Sequence, residues 1–264
     1  MADSKDNNYI RIASLDKTYA SPRGPVRALE GVSLDIARGE FISVLGPSGC
    51  GKSTLLKCLA GLEGITGGSV HIAGKPLSGP PDNMGIVFQR DVLLDWRSIL
   101  DNVLITAEFR GLPRAEYEPR ALALLKLFGL EEFATRFPWE LSGGMRQRAS
   151  ICRALLTDPE LLLMDEPFGA LDAMTRDDLN VELQRIWSGT RKTVLFITHS
   201  IAEAVFLSDR VVVMKRDPGE IVEVIEIDLP RPRRLAIRET REFGQYSTRI
   251  REIFERLGVY RERT

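Results

Sequence analysis

The chain has 264 residues, with 36 Lys and Arg against 37 Asp and Glu, a formal net charge of −1, 44% hydrophobic residues and 28% charged ones. That balance excludes a disordered or collagen-like chain, and it argues against a dedicated nucleic-acid binder, which would carry a basic excess. The 3 cysteines, Cys50, Cys58 and Cys152, form no CxxC pair and are odd in number, so a reducing compartment fits better than a disulfide framework or a zinc site. The first residues, MADSKDNNYIRIAS, lack the apolar core of a signal peptide. No uncharged apolar run approaches the roughly 20 residues needed to span a bilayer. The expectation is a cytosolic chain that does not itself cross a membrane.

In chain order, YIRIASLDKTY alternates as a strand, VSLDI follows, and ARGE turns the chain into FISVL, a short apolar run of the kind buried inside a sheet. GPSGCGKST is a glycine-rich turn, and LLKCLAGL after it has helical spacing, so strand, glycine loop and helix make one mononucleotide-binding unit. GITGGSVHIAGK and the strand MGIVFQ come next. From about Asp91 to Asp158 the patterns turn helical in SILDNVLITAEFRG, AEYEPRALALLKLFGL and SGGMRQRASICRALLT, with breakers at Gly111, Pro113 and Pro138. Strands return with LLLMD, VLFIT and RVVVM, around the helical MTRDDLNVELQRIWSGT. The pattern predicts an α/β fold with a parallel sheet covered on both faces and a helical insertion. Its expected bounds are 1–90 with 159–229 for the core, 91–158 for the insertion and 230–264 for a tail. The tail carries ten Arg against five Glu and reads as a surface helix of mixed charge.

Gly46-Pro47-Ser48-Gly49-Cys50-Gly51-Lys52-Ser53 fits the G-x-x-x-x-G-K-[ST] pattern of a phosphate loop. Glycines allow successive N–H groups to turn inward around an anion at the start of the next helix. Lys52 supplies a mobile charge to the β- and γ-phosphates, Ser53 a hydroxyl to Mg²⁺, and Thr54 a contact on the α-phosphate side. Cys50 reads as a filler whose side chain turns away. A magnesium nucleotide also needs a carboxylate, and LLLMD places Asp165 at the carboxyl end of a buried strand, where open α/β sheets bind ligands. Asp165 can hold Mg²⁺ through its water shell, while Glu166 reaches the water in line with the γ-phosphate. His199 ends the VLFITHS strand, where a neutral imidazole can bridge γ-phosphate and water. His71, in SVHIAG, has no such context and reads as structural.

These features leave kinases, GTPases and many ATPases open. The segment that separates them is Leu141-Ser142-Gly143-Gly144-Met145-Arg146-Gln147-Arg148 at a helix start. Ser142 is a good N-cap, and Gly143 and Gly144 leave amides bare beneath a helix dipole, a second anion-binding surface. One γ-phosphate hardly needs two such cradles, so the second is expected to serve a nucleotide held by another molecule.

On these residues the chain resembles the nucleotide-binding subunit of an ABC transporter, with LSGGM standing for the family's LSGGQ signature and Met145 in place of the final glutamine. The resemblance implies a phosphate-loop, RecA-like nucleotide-binding α/β core with an antiparallel β portion and an inserted helical subdomain. It also implies ATP and Mg²⁺, and a head-to-tail dimer in which the signature of one subunit closes over ATP on its partner. Tyr19 matches the aromatic that stacks on adenine. Gln89 matches the glutamine that reaches Mg²⁺ and the attacking water, Ala170-Leu171-Asp172 the loop joining the two active sites, and His199 the switch histidine. Met145 puts in doubt a glutamine contact to the partner nucleotide.

Within the family, LSGGMRQR, MDEPFGALDAMTR, THSIAEAVFLSDRVVVM and DLPRPR resemble importer ATPases of the nitrate, sulfonate and taurine group. That implies a peripheral protein on the cytoplasmic face of the membrane. Its implied partners are a second ATPase subunit, permease subunits and, indirectly, an extracytoplasmic solute-binding protein. Permease docking is expected near Asp91–Val103, with Leu93, Leu94 and Trp96 exposed in DVLLDWRSILDNV. A soluble ABC-type ATPase of the iron-sulfur assembly kind is the alternative. Nothing in the sequence touches the solute.

Overall fold

The computed structural model describes residues 8–169 and 171–259. Contacts divide the chain into two compact units, Met1–Asp82 with Asn180–Thr264, and Asn83–Leu179. Bounds expected at 90 and 159 follow the change from strand to helix pattern, whereas the contact-defined second unit also takes in a pair of strands.

The first unit holds two sheets. In one, β1 (Asn8–Tyr19) lies between β2 (Val26–Ala37) and β4 (Gly67–Ile72), all antiparallel, with the two-residue β5 (Lys75–Pro76) at the edge. Along β1, Ile10 and Ile12 face inward and Arg11 and Ala13 outward, the period-two pattern of a sheet with one wet face. At Ser14 φ is 47°, and the register shifts between Ile12 and Leu15. This bulge changes the phase, so Leu15 and Lys17 continue the inward face.

In the other sheet, β3 (Phe41–Leu45) lies between parallel strands β8 (Thr193–Ile197) and β9 (Arg210–Lys215), and β10 (Glu220–Glu226) runs antiparallel to β9. Every residue of β3 and β8 is buried, which is why both read as unbroken apolar runs. Phe41 meets Trp187 edge-on at 6.0 Å and Phe196 at 5.8 Å, a geometry worth about 1 kcal/mol per pair beyond area burial. Helices α1 (Lys52–Leu59), α6 (Ile201–Leu207) and α7 (Arg241–Arg256) belong to the same unit.

The arginine-rich tail is part of this unit. Phe243, Ile250, Ile253 and Phe254 of α7 are buried, so its apolar face is consumed internally and the exposed face carries the mixed charge. Arg233 is only 3% exposed and donates to the carbonyls of Val205, Phe206, Ser208, Ile227 and Leu229. It thereby satisfies the end of α6, whose last carbonyls have no helical partner. Its backbone N–H and C=O both pair with the Gln184 amide. Arg231 lies over the Trp187 ring at 4.1 Å and pairs with Asp209 at 2.8 Å. Burial pushes the Arg233 guanidinium down to about 10, so it stays charged at neutral pH.

In the second unit, β6 (Met84–Val87) pairs in parallel with β7 (Leu161–Asp165). Between them in sequence come α2 (Ile99–Phe109), α3 (Arg114–Leu127) and α4 (Gly143–Leu155); the division between units falls inside α5 (Ala173–Thr190). Ser98 caps α2 by accepting from the Asp101 N–H, and Pro113 sits at the N-cap of α3. Asn102, fully buried, closes the turn before α2: its amide donates to the Leu94, Arg97 and Ser98 carbonyls and accepts from the Leu94 N–H.

Replacing Arg233 with Met leaves several buried carbonyls unpaired. The expected outcome is a loss of about 3 kcal/mol in unfolding free energy, read by urea denaturation. A loss under about 0.5 kcal/mol, the level of an ordinary surface change, contradicts the structural role.

Candidate functional site

In the first unit the phosphate loop connects fully buried β3 to α1, so its two ends are fixed by the sheet and by the helix packed on it. Gly49 and Gly51 have φ of 81° and 90°. A Cβ on Gly51 would lie 2.6 Å from Leu29 Cδ2 and 2.7 Å from the Ala28 carbonyl, and one on Gly46 2.5 Å from Cys50 Sγ. Glycine is therefore required at both pattern positions by space, and at Gly51 also by backbone angle. The first turn of α1 holds no acidic residue and its N-cap supplies no side-chain acceptor, so no carboxylate there competes with an anion for the positive end of the helix dipole.

Lys52 is buried and donates to the Gly46 carbonyl at 2.8 Å and the Pro47 carbonyl at 3.2 Å. The lysine thus arches over the loop it belongs to, within reach of whatever the loop encloses. Ser48 and Gly49 are exposed at the tip, Pro47, Ser53 and Thr54 are half-buried, and Cys50 is buried. Burial raises the Cys50 thiol above its usual range despite Lys52 beside it, so it is a protonated filler at neutral pH.

Tyr19, at the end of β1, is half-buried, and the Lys17 ammonium lies 4.6 Å from its ring centroid. That ammonium also pairs with Glu63 at 3.0 Å and donates to the Gly64 carbonyl at 2.7 Å. His199 is exposed just past the end of β8. Its neighbour Thr198 is buried, bonds through its hydroxyl to Glu203 of α6 and accepts from the Ser200 N–H at 3.0 Å. His71 lies in β4, opposite Arg11 in the register, in a different sheet from β8, which leads to His199.

In the second unit, Asp165 ends fully buried β7 and is itself 6% exposed. Glu166 follows at φ 44°, a left-handed conformation that costs a non-glycine residue about 1–2 kcal/mol. Its carboxylate accepts from the Gln89 amide at 3.2 Å, and its carbonyl accepts from the Gly169 N–H at 3.1 Å. The sequence-predicted pair Gln89 and Glu166, 77 residues apart, is brought together.

At the start of α4, Ser142 is the N-cap and accepts from the Met145 N–H at 3.3 Å. Ser142 and Gly143 are exposed, and the first-turn amides have no intrahelical partner. A Cβ on Gly144 would come within 2.8 Å of Leu171. Asp172 caps α5 by accepting from the Thr175 N–H at 3.0 Å, and that hydrogen bond lowers its carboxyl. Ala170 lies outside the described residues.

Some contributors carried no local signal. Lys17 is a strand residue until the bulge turns it inward beneath Tyr19. Arg146, Gln147 and Arg153 look like polar helix positions, yet all three bond to segment 88–92 around Gln89. The expected docking surface is corrected in detail. Leu93 and Leu94 are half-buried, because Asn102 folds their turn inward, while Trp96 (74% exposed) and Val92 (53%) stand out.

Glycine loop, lysine and strand-end acids define a phosphate-loop nucleotide-binding protein. A family model for ABC transporters matches residues 29–169. The taurine import ATP-binding protein of Rhizobium johnstonii is 51% identical over 206 residues, 78% of this chain and 79% of that protein. The nitrate import ATP-binding protein of Synechococcus elongatus is 44% identical over 252 residues, 94% of this chain and 92% of that one. A solved dimeric structure of a bacterial ABC transporter cassette matches at a TM-score of 0.77 and 34% identity, covering 84% of this chain and 100% of that one. The chain belongs to the ABC transporter ATP-binding family, and it is an ABC-type ATPase.

All three cysteines are free and buried. Burial pushes the Cys58 thiol up to about 11 and raises Cys50 and Cys152 as well. In the native protein at pH 7.5, a thiol-reactive disulfide reagent should label Cys50 at least about 10-fold more slowly than in urea, where all three react at once. Rapid labelling of native Cys50 contradicts its placement.

Proposed function

We propose that the chain powers an importer for a small anionic solute by ATP-driven closure of two ATPase subunits, identical or closely paralogous. The observation that carries this reading is the presence of two helix-start amide cradles in one chain, at α1 behind Lys52 and at α4 behind Ser142. A single triphosphate tail uses one such cradle, so the second serves ATP on a partner subunit. Met145 does not remove that contact, because Ser142, Gly143 and Gly144 supply the hydroxyl and bare amides.

In this reading the loop amides of Gly46–Gly51 and Lys52 hold the β- and γ-phosphates, Thr54 the α-phosphate side, and Tyr19 stacks on adenine. Mg²⁺ needs only one or two protein oxygens beside phosphate and water. Ser53 would offer it a hydroxyl, Asp165 a carboxylate and Gln89 an amide oxygen. When bound, the ion would supply charge neutralisation at the transferring phosphate. Glu166 is the base that takes a proton from the attacking water. Its left-handed backbone and the Gln89 bond support a carboxylate held in one direction. His199 orients the same water, and Asp172 answers to the partner subunit.

Docking falls to the Asp91–Val103 region. At the edge of that region Val92 joins Phe88, Thr106, Phe109, Arg110 and Arg153 around a groove of about 320 Å³ in the second unit, large enough for side chains of a short permease helix. Among the described residues no helix is long and apolar enough to cross a membrane. The importer reading itself places the chain peripherally on the cytoplasmic face. The relatives named for taurine and nitrate import favour a small anion, delivered by an extracytoplasmic binding protein, over the soluble iron-sulfur assembly kind. No nucleic acid enters the mechanism.

Glu166→Gln should lower ATP turnover about 10²- to 10⁴-fold with ATP binding retained. It should also shift the chain to a dimer on size exclusion with Mg-ATP; normal turnover by this variant refutes the base assignment. Ser142→Arg should abolish the ATP-dependent dimer while nucleotide binding to the monomer persists. Cofractionation with membranes only when permease subunits are co-expressed supports transport, and its failure favours the soluble kind.

A further inference from the structure

Three side chains of α4 grip the segment that carries Gln89: Gln147 and Arg153 hold it by its backbone carbonyls and Arg146 by the Asp91 carboxylate. Gln147 donates to the Phe88 carbonyl at 3.1 Å, and Arg146 pairs with Asp91 at 2.9 Å. Arg153 forks across two successive carbonyls, reaching Val92 with one Nη at 2.7 Å and Asp91 with the other at 2.8 Å. Between these contacts Val92 sits at φ 48°. A β-branched residue resists that region more than most, and the Val92 side chain is largely exposed, so its own packing does little to hold it there. A rotation of Val92 into the extended region would turn its carbonyl away from Asp91's and break the fork.

We infer that Arg153 is a positioning residue for hydrolysis: by holding Asp91 and Val92 in this strained turn it fixes the course of the chain leaving Gln89, and with it the Gln89 contact to Glu166. The inference rests on the reading of Gln89 and Glu166 given above. It extends that reading, because Arg153 sits in the last turn of the helix that begins at Ser142 and also lines the docking groove. One guanidinium therefore touches the helix of the second cradle, the Gln89 segment and the surface offered to a permease helix. A helix entering the groove would press on the grip directly.

The test uses the full chain and steady-state ATPase with Mg-ATP. Arg153→Met should lower kcat about 10- to 100-fold, the cost of a misplaced reacting geometry, with KM for ATP within about twofold. Adding Val92→Gly should restore kcat to within about threefold of wild type, because glycine holds the left-handed turn without the guanidinium. Adding Val92→Ala, which still resists the turn, should not. Wild-type kcat in Arg153→Met, or equal rescue by glycine and alanine, or none by either, overturns the inference. If Arg153→Met does not fold, Arg153→Lys, which keeps the charge and loses the fork, replaces it.

Trypsin cleavage after exposed Arg90 gives a readout independent of ATPase. It should accelerate at least about fivefold in Arg153→Met, as the segment opens locally, and return with Val92→Gly. An unchanged cleavage rate overturns the positioning role even if wild type hydrolyses no ATP, an outcome that would separately refute the ATPase roles of Gln89 and Glu166.

Discussion

An α-helix leaves its first N–H groups without partners, and in the function proposed above this protein meets anions mainly with that deficit rather than with bulk positive charge. At α1 the deficit is sharpened by a loop in which side chains are excluded by space: a Cβ on Gly51 would run into Leu29 and the Ala28 carbonyl. At α4 it is presented by Ser142, whose own oxygen is occupied by the Met145 N–H. A net charge of −1 is therefore compatible with a polyanionic substrate. Lys52 adds one mobile charge, held over the loop by two carbonyls.

Left-handed backbone at non-glycine residues recurs at several turns, and two instances flank the proposed chemistry. Glu166 and Val92 both occupy left-handed backbone that neither side chain favours, and each is held by contacts from elsewhere. Glu166 is fixed through Gln89 and Gly169, Val92 through Arg153. Such conformations persist only when the surroundings over-determine them. Both lie within three residues of the Gln89–Glu166 contact, which ties the local energetics to the chemistry proposed for that pair.

The tail shows the same economy for stability. Its arginines read as surface charge, yet Arg233 closes the end of α6 and joins it to α5 through Gln184, while Arg231 covers Trp187. A buried guanidinium is favourable only when its donors are satisfied, and here five carbonyls take them. The helix after it uses its apolar stripe inside the first unit rather than against a lipid or a partner.

By itself the sequence determined the elements whose signals are local: buried strands written as apolar runs, the glycine loop and its helix, the Ser142 cap, and strand-end acids Asp165 and Glu166. Each follows from steric and hydrogen-bonding rules acting over a few residues. It did not reveal the bulge at Ser14, the hairpin strand β10, the packed tail or the units' contact boundaries. Lys17 beneath Tyr19, Arg233 within a cage of carbonyls, and Arg153 on the Gln89 segment were decided only by tertiary structure. Their partners lie from two to about sixty residues away, and a polar side chain on a strand or helix carries no mark of which distant carbonyl it will meet.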